Sequence, residues 1–207
     1  MKTPEDLKDG YRAFRQSTYR RQAELYEQLG RGQDPDIMII ACADSRAEPA
    51  DIFNAAPGQL FVVRNVANLA PPFDPSGGLH GVSAALEFAV TALEVKHILI
   101  MGHGGCGGVH ASLSAADDKP VGQFIAPWVS LLDKARDTVL STIPADPQRA
   151  LEYEGIRTSL DNLMTFPFVK TRVEAGKLTL HGAWFAISSG ELHWRDPETG
   201  AFDPVGL

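Results

Sequence analysis

The chain has 207 residues, 19 of them Lys or Arg and 26 Asp or Glu, for a formal charge of −7. Hydrophobic residues at 44% and charged residues at 22% exclude wholesale disorder, and an acidic balance without a Lys/Arg run argues against nucleic acid or anionic membrane as a partner held by bulk charge. The longest apolar run, residues 37–43, falls far short of the roughly 18 residues that span a bilayer.

The elements follow in chain order. Thr3-Pro4-Glu5-Asp6 opens a helix: Thr3 suits the N-cap, Pro4 the first turn, and the acids complement the helix dipole. Leu7, Tyr11, Phe14, Leu25 and Leu29 continue it at helical spacing until Gly30 and Gly32 stop it. The apolar runs 37–41, 60–63 and 97–101 are hydrophobic on both faces, as buried parallel strands are. A Pro- and Gly-rich loop is expected over 67–78 and an Ala-rich helix over 81–93. Further helices are expected over 123–140, 147–164 and 168–175. Residues 178–187 make a strand, turned by Ser188-Ser189-Gly190 onto an antiparallel partner at 191–195.

Strands alternating with helices define an α/β fold. Its mostly parallel central sheet is expected to hold about four parallel strands and an antiparallel edge strand, flanked by helices and preceded by an N-terminal helical arm. Ligands in such sheets sit at the carboxyl ends of the strands, so chemistry is sought after Ala41, Val63 and Met101.

The only two cysteines stand at two of those ends. The first strand runs into Cys42-Ala43-Asp44-Ser45-Arg46, where alternation points Cys42 and Asp44 the same way. The third runs into Gly102-His103-Gly104-Gly105-Cys106-Gly107-Gly108, whose spacing lets His103 and Cys106 converge. Either cysteine alone reads as a small buried hydrophobe, His103 alone as a core or loop histidine, and the glycines alone as an anion cradle. A phosphate loop, however, usually wants Lys or Ser/Thr, and none follows. Taken jointly, two thiolates and an imidazole match zinc, and three protein ligands leave a catalytic position open. A structural zinc site closed by Asp44 is the alternative. Arg46 bears on it, because a bidentate pair with Asp44 would draw that carboxylate off the metal. Two thiolates and a neutral imidazole also cancel the charge of Zn2+. The centre is then a weaker Lewis acid than a three-histidine site, and activity should rise toward alkaline pH.

These segments, with Phe61-Val62-Val63-Arg64-Asn65-Val66-Ala67-Asn68, resemble the β-class carbonic anhydrases. The likeness runs from about Gln33 to Gly190. One departure is Ala43, where Ser is usual, at a position that points away from the site. The resemblance implies reversible hydration of CO2 to bicarbonate and a proton by a zinc-bound hydroxide, with the substrate in a small apolar pocket. Cys42, His103 and Cys106 match the family's zinc ligands, one ion per chain. Asp44 matches the acceptor of a hydrogen bond from the hydroxide, and Arg46 the residue that holds it. Gln33 matches a substrate-binding amide. Phe61, Val66 and Phe88 match the pocket walls, with Phe88 where many relatives carry Tyr. Gly107 matches a glycine beside the pocket. Ile39 stands where regulated relatives have Trp, which implies the open, plant-type site.

The resemblance further implies a single domain over 1–207: a helical arm at 1–32, a catalytic core at 33–195 and a tail at 196–207. It implies a homodimer or larger homo-oligomer, with Tyr11 and Phe14 suited to packing on a partner. His80, His97 and His110 lie near the motifs and can exchange protons, though each is read as an ordinary loop or surface histidine. With no apolar leader at its start, the chain is expected in the cytoplasm. Carbon disulfide or carbonyl sulfide is the competing substrate class. A bicarbonate-sensing module would have lost a ligand, Asp44 or Arg46, and a nucleobase deaminase needs His-x-Glu and Pro-Cys-x-x-Cys, which are absent.

Overall fold

The computed structural model of the chain describes residues 2–117 and 119–206. It divides into two compact units, Met1–Asp34 and Pro35–Leu207.

The first unit holds α1 (Pro4–Gln16), α2 (Thr18–Arg21) and α3 (Ala23–Leu29). Thr3 and Asp6 form a reciprocal capping box, each side chain accepting from the other's backbone N–H. The sequence reads as one helix; the structure breaks it at Ser17, whose hydroxyl donates to the Ala13 carbonyl. Phe14, Tyr19 and Tyr26 form an aromatic cluster with ring centroids 5.0 to 6.1 Å apart. Leu7 and Tyr11 are exposed.

The second unit is built on six strands: β1 (Ile37–Cys42), β2 (Leu60–Asn65), β3 (His97–His103), β4 (Thr179–Phe185), β5 (Leu192–Arg195) and β6 (Phe202–Pro204). Their order is β2-β1-β3-β4-β5-β6. The first four run parallel, and β5 and β6 add an antiparallel edge. The stretch expected to be a plain tail therefore holds a strand, its N–H and carbonyl groups paired with β5. Alternation sorts the core. Met38, Ile40, Ile98 and Ile100 face one layer of side chains, and Ile39, Ala41, Leu99 and Met101 face the other.

Around the sheet lie α4 (Pro49–Ile52), α5 (Gly81–Glu87), α6 (Gly107–Ala115), α7 (Ile125–Val129), α8 (Asp133–Ser141), α9 (Pro147–Leu163) and α10 (Pro167–Glu174). The helix expected over 123–140 is interrupted by a 3-10 turn, Ser130–Leu132. The helix expected over 81–93 widens into a π turn, Phe88–Ala92, where the Leu93 N–H reaches the Phe88 carbonyl. Thr91 contributes to the widening: its hydroxyl takes the Glu87 carbonyl that an α-helical N–H would have used.

One close contact positions the site. A Cβ added to Gly102 on β3 would lie 2.9 Å from the Ile156 side chain, and one on Gly182 of β4 would lie 2.8 Å from it. Glycine at both positions lets α9 settle directly on the two strands. Glu152, one turn before Ile156, is thereby brought to the loop that follows β3.

Candidate metal centre and its surroundings

β1 and β3 are parallel neighbours, so Cys42 at the end of one and His103 at the end of the other stand side by side. Cys106 closes the group as the N-cap residue of α6. The three ligand atoms lie within 4.8 Å of one another, all on buried residues, and the two sulfurs are 3.8 Å apart. With Zn–S bonds of about 2.3 Å, tetrahedral geometry requires a sulfur separation of about 3.8 Å. His103 is 1% exposed, and its Nδ1 faces the Gly104 carbonyl at 3.1 Å, the partner of a donated proton. Its Nε2 is then the acceptor nitrogen, and it is buried without a hydrogen-bond partner. A buried imidazole nitrogen aimed at two sulfurs is the donor set that fits a zinc ion.

The two sulfurs are electrostatically unlike. A hydrogen bond from Cys106 pulls the Cys42 thiol well below its ordinary value against the effect of burial, helped by His103 and the Asp44 and Ala67 N–H groups. The same hydrogen bond, with burial, pushes the Cys106 thiol up; the Gly108 and Val109 N–H groups at the start of α6 oppose this. For His103, burial lowers the pKa, but contact with the Cys42 sulfur and Asp44 outweighs it and leaves the value raised.

Asp44 turns to Arg46. Arg46 Nε donates to Oδ1 at 2.9 Å and Nη2 to Oδ2 at 2.7 Å, and the Arg46 backbone N–H adds a bond to Oδ1 at 3.0 Å. These bonds hold the Asp44 carboxyl well below the usual carboxylate range. Its Oδ2 stands 3.8 Å from His103 Nε2. Arg46 also donates to the Gly105 carbonyl at 3.2 Å, so it ties the first loop to the second.

The apolar positions lie on nearby elements. Phe61 on β2 and Phe88 at the start of the π turn have ring centroids 5.9 Å apart. Phe88 and Val66 remain 47% and 39% exposed. A Cβ on Gly107 would meet nothing within 4 Å, whereas one on Gly108 would lie 2.5 Å from the Val66 side chain. Gln33 is exposed and belongs to the first unit, in the segment between α3 and β1. His80 lies 4.0 Å from Asp74, His97 packs against His181 at 3.3 Å, and His110 is exposed on α6.

The sequence reading assigned no role to several residues that shape the site. Arg64 donates to the Cys42 carbonyl at 2.8 Å and the Asp44 carbonyl at 2.6 Å, and pairs with Glu48. Ala67 adopts a left-handed backbone at φ 64° while 1% exposed, and its N–H reaches the Cys42 sulfur. Glu152 is 3% exposed and touches the Cys106 N–H. One signal was available: Glu152 falls in line with Ile156, Leu160 and Leu163, a charge set into an apolar stripe.

Comparison with known proteins agrees with this geometry. The family described as Carbonic anhydrase matches residues 37–192. Two curated relatives from Arabidopsis thaliana are similar. Beta carbonic anhydrase 3 is 34% identical over 90% of this chain and 74% of its own length. Beta carbonic anhydrase 5, chloroplastic, is 37% identical over 87% of this chain and 61% of its own. Among solved structures, the β-carbonic anhydrase CcaA superposes with a TM-score of 0.91 at 32% identity, covering 98% of this chain and 92% of that one. A structure from a study of two tetrameric β-carbonic anhydrases of the filamentous ascomycete Sordaria macrospora gives 0.83 at 26% identity, covering 96% and 97%. The chain belongs to the β-class carbonic anhydrases, a family of lyases. Among the described residues no helix is long and apolar enough to cross a membrane.

Proposed function

We propose that the chain catalyses the reversible hydration of CO2 at a single zinc ion held by Cys42, His103 and Cys106. One observation carries this: two sulfurs spaced as tetrahedral zinc requires, beside a buried imidazole nitrogen that has no other partner. A zinc ion held there would supply the Lewis acidity that activates water, more weakly than at a three-histidine site. The chain supplies the rest.

Asp44 is ionised because Arg46 clamps it, and its Oδ2 takes only one hydrogen bond from Arg46. That oxygen keeps capacity for a proton donor and accepts the hydrogen bond that orients the reacting water. Arg46 keeps the carboxylate off the metal, which is the open, plant-type arrangement. Phe61, Val66 and Phe88 give an apolar wall suited to an uncharged gas, and Gly107 leaves the backbone open beside it. CO2 offers little to grip, so rate comes from orientation more than from affinity. The exposed apolar side chains Val62, Val66 and Phe88 suit a homo-oligomer, the state named for the Sordaria macrospora enzymes. The core at 33–195 carries this chemistry, in the cytoplasm.

Stopped-flow CO2 hydration on metal-quantified protein, beside Cys106→Ser, tests the proposal. The expected result is about one zinc per chain and activity that rises toward alkaline pH, both lost in the variant. One zinc per chain without hydration of CO2, or a preference for carbon disulfide, overturns the activity while sparing the metal site.

A further inference from the structure

The loop from Gly102 to Gly108 must place both His103 and Cys106, yet five of its seven residues are glycine. Glycines leave the backbone free to take many shapes, and Gly105 sits at φ 65°, where other residues are disfavoured. Neighbouring side chains crowd Gly102, Gly104 and Gly108, but a cleft of about 380 Å³ opens beside Gly104 and Gly105. Polar contacts from outside add to the packing.

The Gly104 N–H donates to the Phe185 carbonyl and Arg46 holds the Gly105 carbonyl, while Cys106 itself is held from one face of α9. Glu152 Oε1 accepts the Cys106 N–H at 2.9 Å, and Gln148 Nε2 donates to the Cys106 carbonyl at 3.0 Å. Both backbone groups of a single residue are thus held by side chains one helical turn apart. Gln148 also donates to Glu152 Oε1 at 2.8 Å, and Trp184 Nε1 on β4 donates to Oε2 at 2.9 Å. Glu152 accepts from three donors on its two oxygens, all of them inside the protein. The Cys106 N–H has no partner inside α6, because it precedes the first helical turn. Trp184 braces the assembly: a Cβ on Gly104 would come within 3.0 Å of its indole.

We infer that Gln148 and Glu152 are a positioning pair that sets the Cys106 sulfur for metal binding, with Trp184 fixing the carboxylate. The inference rests on the zinc reading and deepens it. The pair touches neither substrate nor ion. It acts through the peptide groups of a ligand residue, the kind of partner whose loss weakens metal affinity by about 10- to 100-fold.

The test is the zinc dissociation constant, measured against a chromophoric chelator without substrate, on wild type, Glu152→Gln, Gln148→Ala and Leu160→Ala. In Glu152→Gln an amide NH2 must face at least one of the three donors, and zinc binding is expected to weaken about 10- to 100-fold. Gln148→Ala, at a half-buried position, is expected to weaken it several-fold. Leu160→Ala truncates the core two turns along the same helix and touches none of these groups; its affinity should stay within twofold. Glu152→Gln within twofold of wild type overturns the inference. So does Leu160→Ala weakening binding as much as Glu152→Gln, since the effect would then be helix stability alone. If Glu152→Gln does not fold, unchanged affinity in Gln148→Ala overturns it. A wild type that binds no zinc overturns the metal reading and the pair with it. Zinc binding without CO2 hydration overturns only the activity.

Discussion

The two cysteine-bearing loops end neighbouring parallel strands, and they are held by opposite chemistry. Beyond β1, the fixed groups are carbonyls, those of Cys42 and Asp44, and a guanidinium from Arg64 on β2 donates to both. Beyond β3, the N–H of Cys106 needs an acceptor, and a buried carboxylate from α9 provides it. The first loop also carries a charged side chain, Asp44, that is clamped from within by Arg46. The second is nearly bare of side chains. The two strand ends are thus fastened differently, by a guanidinium on two carbonyls in the first loop and by a carboxylate on the Cys106 N–H in the second.

The comparison breaks first at Asp44. If the first loop both places a ligand and orients the reacting water, Asp44→Asn separates the two tasks. CO2 hydration is expected to fall about a hundredfold with zinc content unchanged. Loss of zinc in that variant, by metal analysis, would mean that the carboxylate is part of the metal shell. A smaller effect is expected at Arg64. Arg64→Ala leaves two carbonyls without their donor and should cost about 2 kcal/mol in urea denaturation. Arg64→Lys should recover little, since one ammonium cannot span three acceptors in the fork a guanidinium provides. Full recovery would show that charge alone holds the loop.

The smallest effect lies at the opposite end of the strands, where His97 and His181 meet on β3 and β4. Burial first, and then the neighbouring His97, lower the His181 pKa from its ordinary 6.5. The unfolded chain therefore binds the proton first as pH falls. The contribution of His181 to stability is fully present above pH 6.5 and declines below it. His181→Gln should flatten that decline in thermal melts between pH 7 and 5. An unchanged slope would place the acid sensitivity elsewhere.

The first five strands and the grouping of Cys42, His103 and Cys106 were legible because each depends on local pattern. Apolar runs mark buried parallel strands, and a ligand at a strand end is fixed by the strand. What was not legible depends on distant chain. Glu152 stands 46 positions from the cysteine it supports, and only two glycines and Ile156 bring it there. Arg64 lay within a quoted motif, but its carbonyl partners belong to another strand. The strand at Phe202–Pro204 is short and takes its form from β5, so its own residues carry little pattern. The break at Ser17 depends on a hydroxyl rotating onto a carbonyl, a choice that helical spacing does not reveal.

The π turn at Phe88–Ala92 has a consequence for how this fold can vary. Such a turn is a helix carrying one residue more than its ladder needs. Here the surplus begins at the aromatic residue that meets Phe61. A one-residue deletion between 88 and 92 would restore the regular ladder and rotate one flank of the helix by about 100° against the other. Phe88 opens that joint, and β3 follows it. The joint is a place where inheritance can shift Phe88 against Phe61 by indel while the sheet keeps its register.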